Sequence, residues 1–175
     1  MLVGCELART PTNAAHHFRV MWEGKPMVFE LYFVESPELT EPGEDEVTEV
    51  AEYFGWPRRG GIEAWRARSV DLGERAWEAV ERLLEEHPFM VLTKFDRRHD
   101  THHFFGLVVF EEAPGRRRTL QEWLVERGYA RISRPALDWL PLQMDSERFA
   151  ERLEGLQVEA QRQRQGGWGT VVAGR

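Results

Sequence analysis

Glu35 and Glu38, with Ser36 between them, stand directly after the apolar run Phe29-Glu30-Leu31-Tyr32-Phe33-Val34. At a strand end such groups can be aimed at a ligand by a rigid sheet. Histidines are grouped as well, in His16-His17 and in His99, His102 and His103. Imidazole joined to carboxylate suits Zn²⁺ or another transition metal. His16, His102 and His103 are therefore candidate ligands with Glu35, Ser36 and Glu38. Adjacent residues of a strand point to opposite faces, so at most one of each adjacent pair is expected to serve. The competing reading is of histidines merely exposed at a strand start and on a hairpin loop. The acidic group Glu41, Glu44, Asp45, Glu46 and Glu49 lacks the ligand spacing of a calcium loop and reads as a solvated loop.

The elements that must position these groups follow from periodicity. Residues 17–22 and 28–34 alternate and are rich in aromatic and β-branched side chains, which predicts two strands joined by a turn at Gly24 and Pro26. Pro37 has no N–H for a ladder and stops the second strand, leaving Glu35, Ser36 and Glu38 at its end. Val47, Val50, Ala51 and Phe54 recur at helical spacing, and Gly55 ends that helix. Residues 55–61 read as a loop, and Asp71 with Glu74 reads as a capping box opening a helix that Pro88 closes. Strands are expected over 89–95 and 104–110, a turn at Ala113-Pro114-Gly115, and a second capping box at Thr119 and Glu122. Gly128 suits a helix C-terminus, 129–132 a short final strand, and Asp145 the cap of a last helix. A Pro-containing linker passes through Pro135 and Pro141. Strands first and helices inserted late give an α+β class.

Composition narrows the function. A chain of 175 residues with 42% hydrophobic and 30% charged content can bury one real core. A net charge of −7 disfavours tight non-specific binding to nucleic acid, because phosphate contacts need Lys and Arg. Arg97-Arg98 and Arg116-Arg117-Arg118 are candidate local basic patches, with a solvated surface as the competing reading. Trp22, Trp56, Trp65 and Trp139 are candidates for base stacking, although core packing is the commoner job of such rings. The single cysteine, Cys5, excludes an internal disulfide. Leu2-Val3-Gly4-Cys5 matches a bacterial lipobox, whose Cys carries a lipid; with an upstream apolar segment it would place the protein in the cell envelope. A Cys in a disordered tail is the competing reading. The polar stretch 8–15 reads as a tether, so residues 1–15 are expected as a flexible tail, 16–168 as the domain, and 169–175 as a second tail.

Glu30-Leu31-Tyr32-Phe33-Val34-Glu35-Ser36-Pro37-Glu38 resembles the thermonuclease (staphylococcal-nuclease-like) family, in which a strand of the form Arg-Leu-x-x-Val-Asp-Thr/Ala-Pro-Glu carries half of the active site. Gly73-Glu74-Arg75-Ala76 is similar to the family's Gly-x-x-Ala helix start, and Leu124-Val125-Glu126-Arg127-Gly128-Tyr129-Ala130-Arg131 to its Leu-Val-x-x-Gly-Leu-Ala-Arg/Lys signature. Glu159-Ala160-Gln161 and Gly167-Trp168-Gly169 are similar to its last helix and exit. The resemblance implies a five-stranded OB-type barrel with about three packed helices. It also implies phosphodiester hydrolysis with a bound Ca²⁺, a Glu that positions the attacking water, and two Arg that grip the phosphate.

Carried over, Glu38 occupies the general-base position, Glu35 the strand-end metal carboxylate, Ser36 a carbonyl ligand and His16 another metal-binding Asp. Glu30 occupies the first catalytic Arg position. Phe105 occupies the second, with a one-residue slip to Phe104 as the alternative register. Both phosphate-gripping cations are thus absent. Loss of one such donor costs about 10²–10³ in rate. Loss of two, one of them replaced by an anion, should remove the mechanism, unless Arg19, Arg97 or Arg98 substitutes. The resemblance therefore implies a catalytically degenerate binding or structural module, with a protein partner as one candidate. The alternative is a divergent metal-dependent nuclease that uses Glu38 and a remodelled His/Glu site.

Overall fold

The computed structural model of the chain describes residues 1–40, 42–97, 102–133, 140–141 and 145–169. The class is α+β. Nine strands occur among the described residues: β1 Leu2–Val3, β2 Glu6–Leu7, β3 His17–Trp22, β4 Lys25–Leu31, β5 Val34–Glu35, β6 Phe89–Leu92, β7 His103–Ala113, β8 Arg116–Thr119 and β9 Arg131–Ile132. Four helices accompany them: α1 Glu44–Tyr53, α2 Gly61–Glu86, α3 Leu120–Glu126 and α4 Ser146–Gln163.

The main sheet runs β1-β6-β7-β4-β3-β2, with β8 beside β7, while β5 pairs with β9 in a separate ribbon. Only β4 and β7 pair in parallel; the other ladders are antiparallel. The sheet is mixed and its hydrogen-bonded path is open, where the resemblance implies a five-stranded barrel. The two ends of the path, β1 and β2, are nevertheless consecutive in the chain. Gly4 bends between them at φ 71°, a left-handed conformation that glycine adopts without a Cβ penalty.

Residues 1–15 are not a tail. Leu2 pairs with Val91 and Leu7 with Val20, and Leu2, Cys5, Asn13, Ala14 and Ala15 are buried. Alternating apolar residues in so short a run carry too weak a period to reveal a strand, which is why the sequence reads as polar. The turn that follows is held by Asn13, whose amide donates to Ala8 O while its Oδ1 accepts from Thr10 and from the Arg19 backbone N–H. The Cys5 thiol is buried against Leu2 O, and burial raises its pKa. A lipid on this sulfur would have to draw it out of the core.

The helices correct the sequence reading at the starts of α1 and α2. Helix α2 begins at Gly61, so Asp71 lies mid-helix and pairs with Arg75 at 2.9 Å instead of capping. No proline lies between Gly61 and Pro88 to interrupt it. Elsewhere the local signals hold. Thr119 and Glu122 form the reciprocal capping box of α3, and Asp145 accepts from two backbone N–H groups at the start of α4. Gly55 and Gly128 follow their helices at positive φ. The core joins Phe18, Phe29, Leu31, Val91, Leu107 and Phe110 of the sheet to Ala76, Val80 and Leu84 of α2 and to Leu153 of α4. A second cluster, Val50, Ala51, Phe54, Trp56 and Leu72, fastens α1 to α2.

Candidate functional site

Strand β4 ends at Leu31, and Phe33 turns the chain at φ 67° before β5 delivers Glu35 and the loop Ser36-Pro37-Glu38. That loop rests on α2. A Cβ on Gly73 would lie 2.7 Å from Pro37 O and 2.8 Å from Glu38 O, so only glycine permits this approach. The loop is thereby held against the start of β3, where His16 and His17 lie.

Three side chains converge there. His16 Nε2 is 3.6 Å and His17 Nδ1 3.7 Å from Glu38 Oε1, and the two ring nitrogens are 3.3 Å apart. The outward nitrogens are both tied down. His17 Nε2 donates to Thr12 O at 2.9 Å, which fixes its proton on Nε2 because a carbonyl only accepts. His16 Nδ1 sits 2.9 Å from Ser36 Oγ. The two histidines meet on one side because His16 lies just outside β3, in the turn closed by hydrogen bonds between Ala14 and His17. The rule of alternating faces holds within a strand and fails at this turn, so His17 is a site residue that pattern reasoning excludes. His103 stacks on His17 with ring centroids 6.0 Å apart, so it buttresses the cluster, whereas His102 is exposed and outside it.

Glu35 is engaged elsewhere. Its Oε2 accepts from Arg131 at 2.7 Å and its Oε1 from Ser133 at 2.9 Å. Arg131 also reaches Glu49 at 2.7 Å. Burial works against the Arg131 charge, yet the hydrogen bonds to Glu49 and Glu35 outweigh it and raise its pKa. Arg131 is a member of this site that was visible in sequence only as the last residue of the Gly-Tyr-Ala-Arg run. Glu46, in the first turn of α1, has its pKa raised by burial and by the nearby Glu38.

The two positions matched to lost arginines are neighbours. Glu30 on β4 and Phe105 on β7 are register partners, and Glu30 is also the partner of His17 on β3. Glu30 is 5% exposed. Phe105 stacks on Tyr32 at 5.3 Å, and the Tyr32 hydroxyl donates to Asp96 at 3.1 Å. Burial, then the Asp96 charge, raises the Tyr32 pKa. Phe104, the alternative register, packs on Phe29 and lies under the Arg97 guanidinium.

Arg19, two residues along β3 from His17, lies on the same face of that strand and is exposed. Arg116 pairs with Glu112 at 3.2 Å, and Arg118 with Glu112 at 3.3 Å and Glu126 at 2.8 Å, so part of that run is neutralised. Trp56 is core, with its Nε1 donating to Gly167 O, and Trp65 donates to Pro57 O. Glu44, Asp45 and Glu46 form the first turn of α1 rather than a loop. Glu41, Arg98, His99, Pro135 and Trp139 lie outside the described residues.

These donors do not suit the Ca²⁺ that the resemblance implies. A hard cation wants six to eight oxygens. Here both Glu35 oxygens are engaged and an imidazole stands at the other carboxylate position. No protein-family model matches this chain, and no curated protein is significantly similar to it.

Proposed function

We propose that this chain is a thermonuclease-like domain of OB type that has lost phosphodiester hydrolysis and serves as a binding or structural module. The OB reading draws support from the strand order. The ends of the β1-β6-β7-β4-β3-β2 path are joined by a two-residue bend, so β1 and β2 act as one bent strand that spans both edges.

The single observation that carries the loss of hydrolysis is the Glu30–Phe105 pair. Two positions assigned separately, from two distant motifs, are register partners on adjacent strands. One is a buried acid and the other a stacked ring. Phosphoryl transfer needs positive charge around the equatorial oxygens, and this face offers a carboxylate and an apolar ring instead. The Arg131 guanidinium reaches the strand-end motif, and it is spent on Glu35 and Glu49. A net charge of −7 points the same way and favours a protein partner over nucleic acid.

The second reading, a divergent metal-dependent nuclease, is favoured by one observation, the two imidazoles beside Glu38. A digestion assay separates the two. The full chain is held in excess over plasmid and end-labelled single-stranded DNA or RNA, with Ca²⁺, Mn²⁺, Zn²⁺ or EDTA. No cleavage above the buffer blank is expected. Metal-dependent cleavage abolished by Glu38→Gln would overturn the degenerate reading in favour of the second.

A further inference from the structure

We infer that His16, His17 and Glu38 form a binding site for a divalent transition metal of the Zn²⁺ class, with an open fourth position. The inference stands apart from the question of hydrolysis, since a metal can bind here without any phosphate being held.

Geometry supports it first. The three ligand atoms form a triangle with edges of 3.3, 3.6 and 3.7 Å. A point equidistant from three such atoms lies about 2.1 Å from each, which is the Zn–N and Zn–O bond length. Donor chemistry supports it next. Two imidazole nitrogens and one carboxylate oxygen are the three-ligand set of open zinc sites, in which water or a substrate fills the fourth position. The surroundings support it last. Metal-binding histidines hand their other ring nitrogen to a carbonyl or a similar group, which fixes ring orientation and tautomer. Here Thr12 O does this for His17, and Ser36 Oγ stands in that place for His16. The His17 Nδ1 lone pair therefore faces inward. So does the Glu38 carboxylate. Lone pairs that converge in this way suit a cation between them.

The site also fits what has become of Glu35. With that carboxylate drawn to Arg131, the negative charge around the cation falls and the nitrogen share of the donors rises. Both changes move the preference from a hard cation to a borderline one.

The test is calorimetric and spectroscopic, on the full chain after chelator treatment. Zn²⁺ should bind with one-to-one stoichiometry, while Ca²⁺ gives no heat above dilution. Co²⁺ should give the intense visible ligand-field bands of a four-coordinate site, bleached by added Zn²⁺. His17→Asn and Glu38→Gln should each weaken Zn²⁺ by about tenfold or more, and His102→Gln should leave it unchanged. Each variant is first shown to keep the wild-type circular dichroism spectrum. The inference is overturned by absence of one-to-one Zn²⁺ binding, by the pale spectrum of six-coordinate aquo Co²⁺, or by affinity that His17→Asn and Glu38→Gln leave intact. The Co²⁺ spectrum of the wild type decides the matter even if a variant fails to fold. No substrate enters any of these readouts, so their failure is distinct from a positive digestion assay.

Discussion

Arg131 holds Glu35 with one guanidinium nitrogen and Glu49 with the other, both at 2.7 Å. The two partners are unequal, because Glu35 is 33% exposed at its side chain and Glu49 61%. An exposed pair contributes up to about 1 kcal/mol, whereas stripping a partly buried carboxylate of its charged partner costs more. Arg131→Ala is therefore expected to lower unfolding free energy by about 1–3 kcal/mol in urea titrations, and Glu49→Ala by under about 1 kcal/mol. Glu46 runs the other way. Burial and the neighbouring Glu38 make the folded chain bind this proton more tightly than the unfolded chain does. Stability from this group is thus full at low pH and falls as pH rises from the unfolded Glu range through the raised folded value. Glu46→Gln should raise the melting temperature at pH 7, and the gain should vanish near pH 3. Ser36 and Glu38 could be singled out as candidates because they flank the proline that stops a strand, and His16 because it stands beside a second histidine. The role of His17 was not legible, because the turn at Ala14–His17 brings His16 to the same side as His17 against the strand alternation. Arg131 was hidden because its partners are 96 and 82 residues away in sequence.

Helix α2 sets the position of the Glu38 loop by backbone contact rather than by a side chain. Adding a methyl at Gly73 would favour the helix by about 1 kcal/mol on propensity alone. The same methyl would press on two carbonyl oxygens at under 3 Å, and backbone cannot swing aside as a side-chain tip can. Overpacking of this kind costs about 1–3 kcal/mol, so it should win. Gly73→Ala is expected to destabilise the fold by up to about 2 kcal/mol in urea titrations. An unchanged or raised midpoint would show that the loop is not seated on α2. Element ends read well from sequence where capping residues mark them, at Thr119, Asp145, Gly55 and Gly128. The start of α2 did not, because Asp71 and Glu74 copy a capping box inside a helix that begins ten residues earlier. The two strands of the N-terminal segment were illegible for a different reason. Each has two residues, and its stability comes from pairing with β6 or β3 rather than from local preference.

At the scale of the molecule, one mixed sheet with helices against it presents His16, His17, Glu30 and Phe105 from strands β3, β4 and β7 and from the turn before them. The α+β class followed from the order of the predicted elements. The route of the first seven residues between the two sheet edges did not, since topology of that kind is set by long-range pairing. Among the described residues, the two positions matched to phosphate-gripping arginines hold Glu30 and Phe105 instead of cations. The most direct measurement of that deficit is equilibrium binding of a fluorescent single-stranded oligonucleotide to the full chain, followed by anisotropy across a salt series. The account expects binding weaker than about 10⁻⁴ M at low salt, with affinity that does not rise when Glu38 is changed to Gln. Micromolar binding with a steep salt slope, altered by substitutions at Glu30 or Phe105, would contradict it.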